Sequence, residues 1–176
     1  ECGGHPGMAL VGSMVNLGLA ERRLTVPWLI GGGIGTGAQI VAALACGAAG
    51  VVIGTRFLAA AELPAHQTYK DAVVAAGESD TALTMQSVRN TIRTLKNETT
   101  ETVAQLEREN PEIGIDALMP HVAGRIGREA YRTGDVSRGL LSAGQALGLL
   151  DRSESLAGIA DRLETEAQAA LARLCH

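Results

Sequence analysis

Aromatic side chains are nearly absent from this sequence: one Phe, one Trp and two Tyr, 2% of 176 residues. The interior must therefore be filled by aliphatic and alanine packing. A basic surplus is also lacking. Fifteen Lys and Arg face nineteen Asp and Glu, a formal charge of -4, so no nucleic-acid footprint is expected. No uninterrupted apolar run approaches the length of a membrane span, and no charged-then-apolar leader is read. Cysteine is scarce, with Cys2, Cys46 and Cys175 odd in number and far apart. That pattern is neither a disulfide framework nor a zinc site, and it suits a reducing, cytoplasmic setting. Cys46 reads as a small buried hydrophobe. Cys2 stands beside His5, with nothing to mark its thiolate as activated.

What is present is a globular composition, 46% apolar and 19% charged, long enough for one domain with a real core. Glycine is abundant at 22 residues, and it clusters in the first 60 positions. Those positions read as strand, glycine turn and helix, twice over. Met8 to Arg22 has helical spacing. Val26 to Ile30 is a short apolar run closed by Gly31, Gly32 and Gly33, as expected of a parallel strand buried on both faces. Thr36 and Gln39 have capping-box spacing, so a helix is predicted from Thr36 to Cys46, with Gly47 just past its end. A second buried strand starts at Gly50 and ends in glycine at Gly54. Strand, helix and strand in so short a span require a right-handed parallel crossover, hence α/β architecture. No third or fourth strand is read afterwards. Helices are predicted over 64–77, 85–109 and 116–132, with a break at Asn110-Pro111 and a turn at Gly134-Asp135. The last helix carries one apolar stripe through Leu156, Ile159, Ala160, Leu163, Ala167, Ala170, Leu171 and Leu174.

Glycine turns at successive parallel strand ends expose main-chain N–H groups on one rim, an arrangement that holds phosphate in parallel barrels. Gly32-Gly33 and Gly54-Thr55 are the candidates. The helix start near Thr36 should add its dipole, and the Thr55 hydroxyl a hydrogen bond. His5, in a glycine loop, is either a plain loop histidine or a base placed over the same rim. His66, His121 and His176 share no metal-ligand spacing with it. Arg56 is expected to pair with an acidic residue or to reach the phosphate. Ser142 and Gln145 are polar groups inside an apolar segment, where a serine also serves as a helix cap. The charged run 89–109 reads as a solvated helix face, and His66, His121 and Trp28 read as structural.

Taken together, ECGGHPG, VPWLIGGG, GVVIGTRFLA, SVRN and SAGQALGLL resemble, in order and along essentially the whole chain, the nitronate monooxygenase (2-nitropropane dioxygenase) family of FMN-dependent barrel enzymes. That family includes flavin-dependent enoyl-thioester reductases. The resemblance implies the C-terminal part of a (β/α)8 TIM barrel with an inserted helical subdomain: residues 1–63 in the barrel, 64–135 in the subdomain, and 136–176 as a return segment and closing helix. It implies a partner in the N-terminal half of the same barrel, and unpaired edges allow self-association. His5 matches the family's catalytic histidine. Gly3 and Gly4 match flavin-contacting backbone, and Gly32, Gly33, Ile53, Gly54 and Thr55 match the FMN phosphate cradle. Ser142 and Gln145 match a polar element on the substrate side. The implied activity is oxidation of alkyl nitronates or nitroalkanes with O2. Alternatives are reduction of an enoyl-ACP or acyl-CoA thioester with NAD(P)H as donor, or a non-redox phosphate-binding or assembly module.

Overall fold

A computed structural model describes residues 1–7 and 9–175; Met8, the expected start of the first helix, and His176 lie outside the described residues. The element order is α1 (Ser13–Arg23), β1 (Leu29–Gly31), α2 (Gly37–Ala45), β2 (Gly50–Val52), α3 (Gln67–Ala75), β3 (Thr81–Thr84), β4 (Ile92–Leu95), α4 (Glu98–Glu109), α5 (Ile115–Val122), α6 (Gly124–Thr133) and α7 (Leu156–Leu174), with short 3₁₀ turns at Thr55–Phe57 and Gln145–Leu149.

The strand–helix–strand unit forms as its local chemistry dictates. β1 and β2 pair in parallel with Ile30 opposite Val51. Thr36 and Gln39 complete the capping box on α2. Gly47, at φ 89°, ends that helix: its N–H donates to Leu44 O and that of Ala48 to Ala43 O, the reciprocal pair of a glycine-terminated helix. The two faces of the sheet differ, against the expectation of burial on both. Ile30 and Val51 pack with Leu17, Ala43 and Trp28. On the opposite face Leu29 is 60% and Val52 56% exposed, because no described element of this chain covers it. The half-buried Cys46 packs in the covered layer, as a small hydrophobe should.

α7 closes against α2 at very short range. A side chain at Gly37 would collide with the main chain of Leu163 and Ala167, and the Gly37 N–H donates to Glu166 at 2.8 Å. Of the predicted apolar stripe, Ile159, Leu163 and Ala170 are buried, whereas Leu156, Leu171 and Leu174 remain exposed. Arg56, 3% exposed, turns away from the sheet rim and donates to Glu154 at 3.0 Å. Glu154 is shared with Arg162 and Arg152, so an ion network ties the β2 turn to the start of α7.

The stretch predicted as one helix over 85–109 is corrected. Thr81–Thr84 and Ile92–Leu95 form an antiparallel hairpin with Leu83 opposite Arg93, and only Glu98–Glu109 is helical. These are the third and fourth strands that sequence reading did not find. β-Branched Thr91, Ile92 and Thr94 favour extended backbone, and Asn97 with Thr100 starts α4 by its own capping box. The single helix predicted over 116–132 is likewise two, broken at Ala123, where ψ is 130°. His66 is structural as read: its ring accepts from the Thr68 N–H at the start of α3. Tyr69, Val73, Leu95, Leu141 and Leu147 form the core between hairpin and helices.

Candidate functional site

The turn after β1 demands glycine. Gly32 and Gly33 adopt φ of 108° and 72°, which side-chain-bearing residues avoid. Gln39 locks the turn by donating to Gly33 O at 3.0 Å and accepting from Gly35 N at 2.8 Å, and the Ser13 hydroxyl donates to Gly32 O at 2.7 Å. Gly54, after β2, is different. Its φ is unremarkable at -108°, and a Cβ there would meet nothing within 4 Å. Glycine at Gly54 therefore answers to no contact within the described chain, and it leaves room for something from outside.

The two turns meet. Gly32, Gly33, Gly54 and Thr55 line a single hollow of about 370 Å³, and Gly3, Gly4 and Ser142 complete its wall. Among the described residues, the main-chain N–H groups of Gly33, Ile34 and Gly54 have no acceptor within the chain. Thr55 Oγ1 accepts from the Gly144 N–H at 2.9 Å, which leaves its one O–H hydrogen free to donate. Residues with free N–H donors and a hydroxyl lining one open space suit a phosphoryl group. The volume lies within the ~300–1,000 Å³ of small-molecule sites. The start of α2 contributes less than expected. The Glu166 carboxylate occupies the Gly37 N–H and Gln39 serves those of Gly35 and Thr36, so the dipole is already matched by a negative charge.

The remaining predicted residues are placed as follows. Gly3 is glycine because a Cβ would strike the Ala143 and Gly144 main chain. Gly4, at φ 73°, exchanges both main-chain hydrogen bonds with Arg93 of β4, at 3.0 and 2.8 Å. His5 is exposed and does not line the hollow itself. Its Nδ1 lies 3.1 Å from Thr91 O. A carbonyl only accepts, so Nδ1 carries the hydrogen, and in the neutral ring Nε2 presents the lone pair. Ile53 packs into the layer with Ile159 and Leu163. Ser142 pairs with Thr94 as a β-bridge and is no helix cap. Gln145 faces a neighbouring hollow of about 310 Å³ together with Arg93 and Pro6. Another hollow of about 370 Å³ runs along α6 between Arg125 and Arg138, but none of the residues predicted for the site lines it. Among the described residues no cluster of His, Cys, Asp or Glu could hold a metal ion.

The hairpin is what sequence reading missed, and it holds both the histidine loop through Thr91 and Arg93 and the Ser142 segment through Thr94. The detectable signal was the β-branched run TIRTL, which alternates poorly because its inner face also carries Arg93.

Parallel strands ending in glycine turns over a shared hollow, with a histidine loop beside it, are of α/β class, and their superposition on about half of a longer (β/α)8 barrel chain makes them the C-terminal part of such a barrel. The chain belongs to the nitronate monooxygenase family, whose pattern matches residues 1–166. A probable nitronate monooxygenase of Staphylococcus saprophyticus is 28% identical over 89% of this chain and 46% of its own length. Among solved structures, FabK from Thermotoga maritima superposes with a TM-score of 0.88 at 30% identity, covering 98% of this chain and 53% of that one. The nitroalkane oxidase of Streptomyces ansochromogenes gives 0.74 at 27%, covering 93% and 46%. The chain thus spans about half the length of the proteins it matches. No helix among the described residues is long and apolar enough to cross a membrane.

Proposed function

We propose that this chain carries the phosphate cradle and the catalytic histidine of an FMN-dependent oxidoreductase that oxidises alkyl nitronates or nitroalkanes with O2. The observation that supports this most is the convergence of the Gly32-Gly33 and Gly54-Thr55 turns on one hollow, with Gly3 and Gly4 in its wall and His5 next in the chain. The N–H groups of Gly33, Ile34 and Gly54 and the Thr55 hydroxyl would bind the FMN phosphate, and Gly54 admits it by having no side chain. FMN supplies the chemistry of accepting electrons from substrate and passing them to O2. His5 takes the α-proton of a nitroalkane at Nε2, the nitrogen that Thr91 leaves free, and once protonated there donates to a nitronate oxygen. Ser142 stands in the wall of the hollow, and Gln145 faces the space next to it, on the substrate side. The N-terminal half of the same barrel would cover Leu29, Val52 and the exposed Met14 and Val15 of α1. Residues 64–135 are assigned as the inserted subdomain.

A second reading is supported by the better superposition on FabK than on the nitroalkane oxidase: an NAD(P)H-dependent flavin reductase of enoyl thioesters. Anaerobic titration of the full-length flavoprotein separates the two. Bleaching of the flavin bands by a nitronate alone supports the oxidase, and bleaching by NAD(P)H alone supports the reductase. A full-length protein that takes up no flavin when FMN is added would refute both and leave the non-redox module.

A further inference from the structure

The loop that joins β3 to β4 is held in a conformation its own residues disfavour. Met85 and Arg89 adopt φ of 60° and 54°, a left-handed region that side chains make costly. Such a backbone persists only where its surroundings over-determine it. Here the surroundings are Glu107 on α4. Its carboxylate accepts from the Met85 N–H at 3.1 Å, the Ser87 N–H at 2.8 Å and the Ser87 hydroxyl at 2.9 Å. Met85 is buried at 6% exposure, and Val88 packs against the cluster of Val103 and Leu118. Within the loop, Asn90 N–H donates to Met85 O. The next residue is Thr91, whose carbonyl accepts from His5.

We infer that Glu107 is a positioning residue for His5. Its carboxylate fixes the loop 85–90, the loop fixes the Thr91 carbonyl, and that carbonyl holds the imidazole in the Nδ1–H tautomer with the Nε2 lone pair free. The inference deepens the proposed function, and it rests on that proposal only for what Nε2 then does to substrate. The tautomer itself does not depend on it. A carboxylate serves here because all three of its contacts are donors. Glutamine keeps one acceptor oxygen and aims an amide N–H₂ at the remaining donors, so it should hold the loop in part.

The test reads the ring directly. In the full-length protein, the imidazole ¹⁵N shifts of His5 report the tautomer above its titration, in wild type, Ser87→Ala, Glu107→Gln and Glu107→Ala, with far-UV circular dichroism as the check on folding. Wild type should be mostly Nδ1–H. That fraction should fall at least about twofold in Glu107→Ala and less in Glu107→Gln and Ser87→Ala, while kcat/KM falls about tenfold or more from lost orientation. Unchanged His5 shifts in Glu107→Ala and Ser87→Ala would overturn the inference. If Glu107→Ala does not fold, Glu107→Gln and Ser87→Ala carry the criterion together, and unchanged His5 shifts in both would overturn the inference. Shifts that move while turnover stays constant would uphold the link from Glu107 to His5 and refute instead the catalytic role proposed for that histidine.

Discussion

The β1–β2 unit and the β3–β4 hairpin both wall the candidate site, yet they are specified differently. In β1–α2–β2 the bends are set by contacts short in sequence: a capping box over three residues, a glycine stop, and one turn built on two positive-φ glycines. The hairpin relies on distant partners. Its outer edge is completed by Gly4 and Ser142, and its loop by Glu107. The comparison separates two jobs. Local turns leave main-chain donors free, whereas long-range contacts set the orientation of His5.

The comparison can be broken most severely at its extremes. His5→Ala should reduce turnover of the full-length enzyme by about 100-fold or more, the usual contribution of a positioned acid or base, with an unchanged melting temperature because the side chain is exposed. A loss below about tenfold in steady-state kinetics would remove His5 from the catalytic role. Arg56→Met should cost about 2 kcal/mol in urea unfolding, since it removes a buried charged hydrogen bond while Glu154 keeps Arg162 and Arg152; unchanged FMN affinity per folded molecule would show that Arg56 anchors α7 and does not contact phosphate.

The glycine turns give a sharper contrast. Gly33→Ala should lose about 1 kcal/mol of stability from its positive φ. Gly54→Ala should stay within about 0.5 kcal/mol, yet weaken FMN binding about tenfold, equivalent to ~1.4 kcal/mol. Equal effects of the two on flavin affinity by fluorescence titration would contradict the different reasons assigned to them. Thr55→Val should cost about 1 kcal/mol by orphaning the Gly144 N–H.

The smallest effect concerns the core behind the hairpin. Burial first, and then the neighbouring Tyr131, pushes the Tyr69 phenol far above its ordinary range. A raised folded-state pKa means that stability from the neutral phenol is complete below the unfolded value near 10 and lost as pH rises beyond it. Tyr69→Phe should therefore be almost neutral at pH 7 and should flatten the fall of the unfolding midpoint above about pH 10. An identical alkaline slope would exclude Tyr69 as its source.

Much of the fold was legible in the chain because glycine and capping residues act on their near neighbours. The Thr36–Gln39 box, the Gly47 stop and the two glycine turns formed where predicted. The hairpin escaped because residues 81–95 lack a clean period of two: Arg93 and Thr94 sit inside it and the polar run toward Glu109 imitates a solvated helix. The convergence of Gly32-Gly33 with Gly54-Thr55 followed from parallel pairing. The diversion of the α2 start to Glu166, 129 residues away, could not be read in advance.

By itself, the order of residues determined where the backbone must bend and which strands run parallel, since sterics and hydrogen bonds within a turn decide such things. Tertiary structure alone decided which donors stay free, which nitrogen of His5 keeps its lone pair, and that Glu107 lies behind both hairpin and histidine. Those outcomes depend on groups as far as 129 residues apart meeting at hydrogen-bond distance, and no local preference encodes such a meeting.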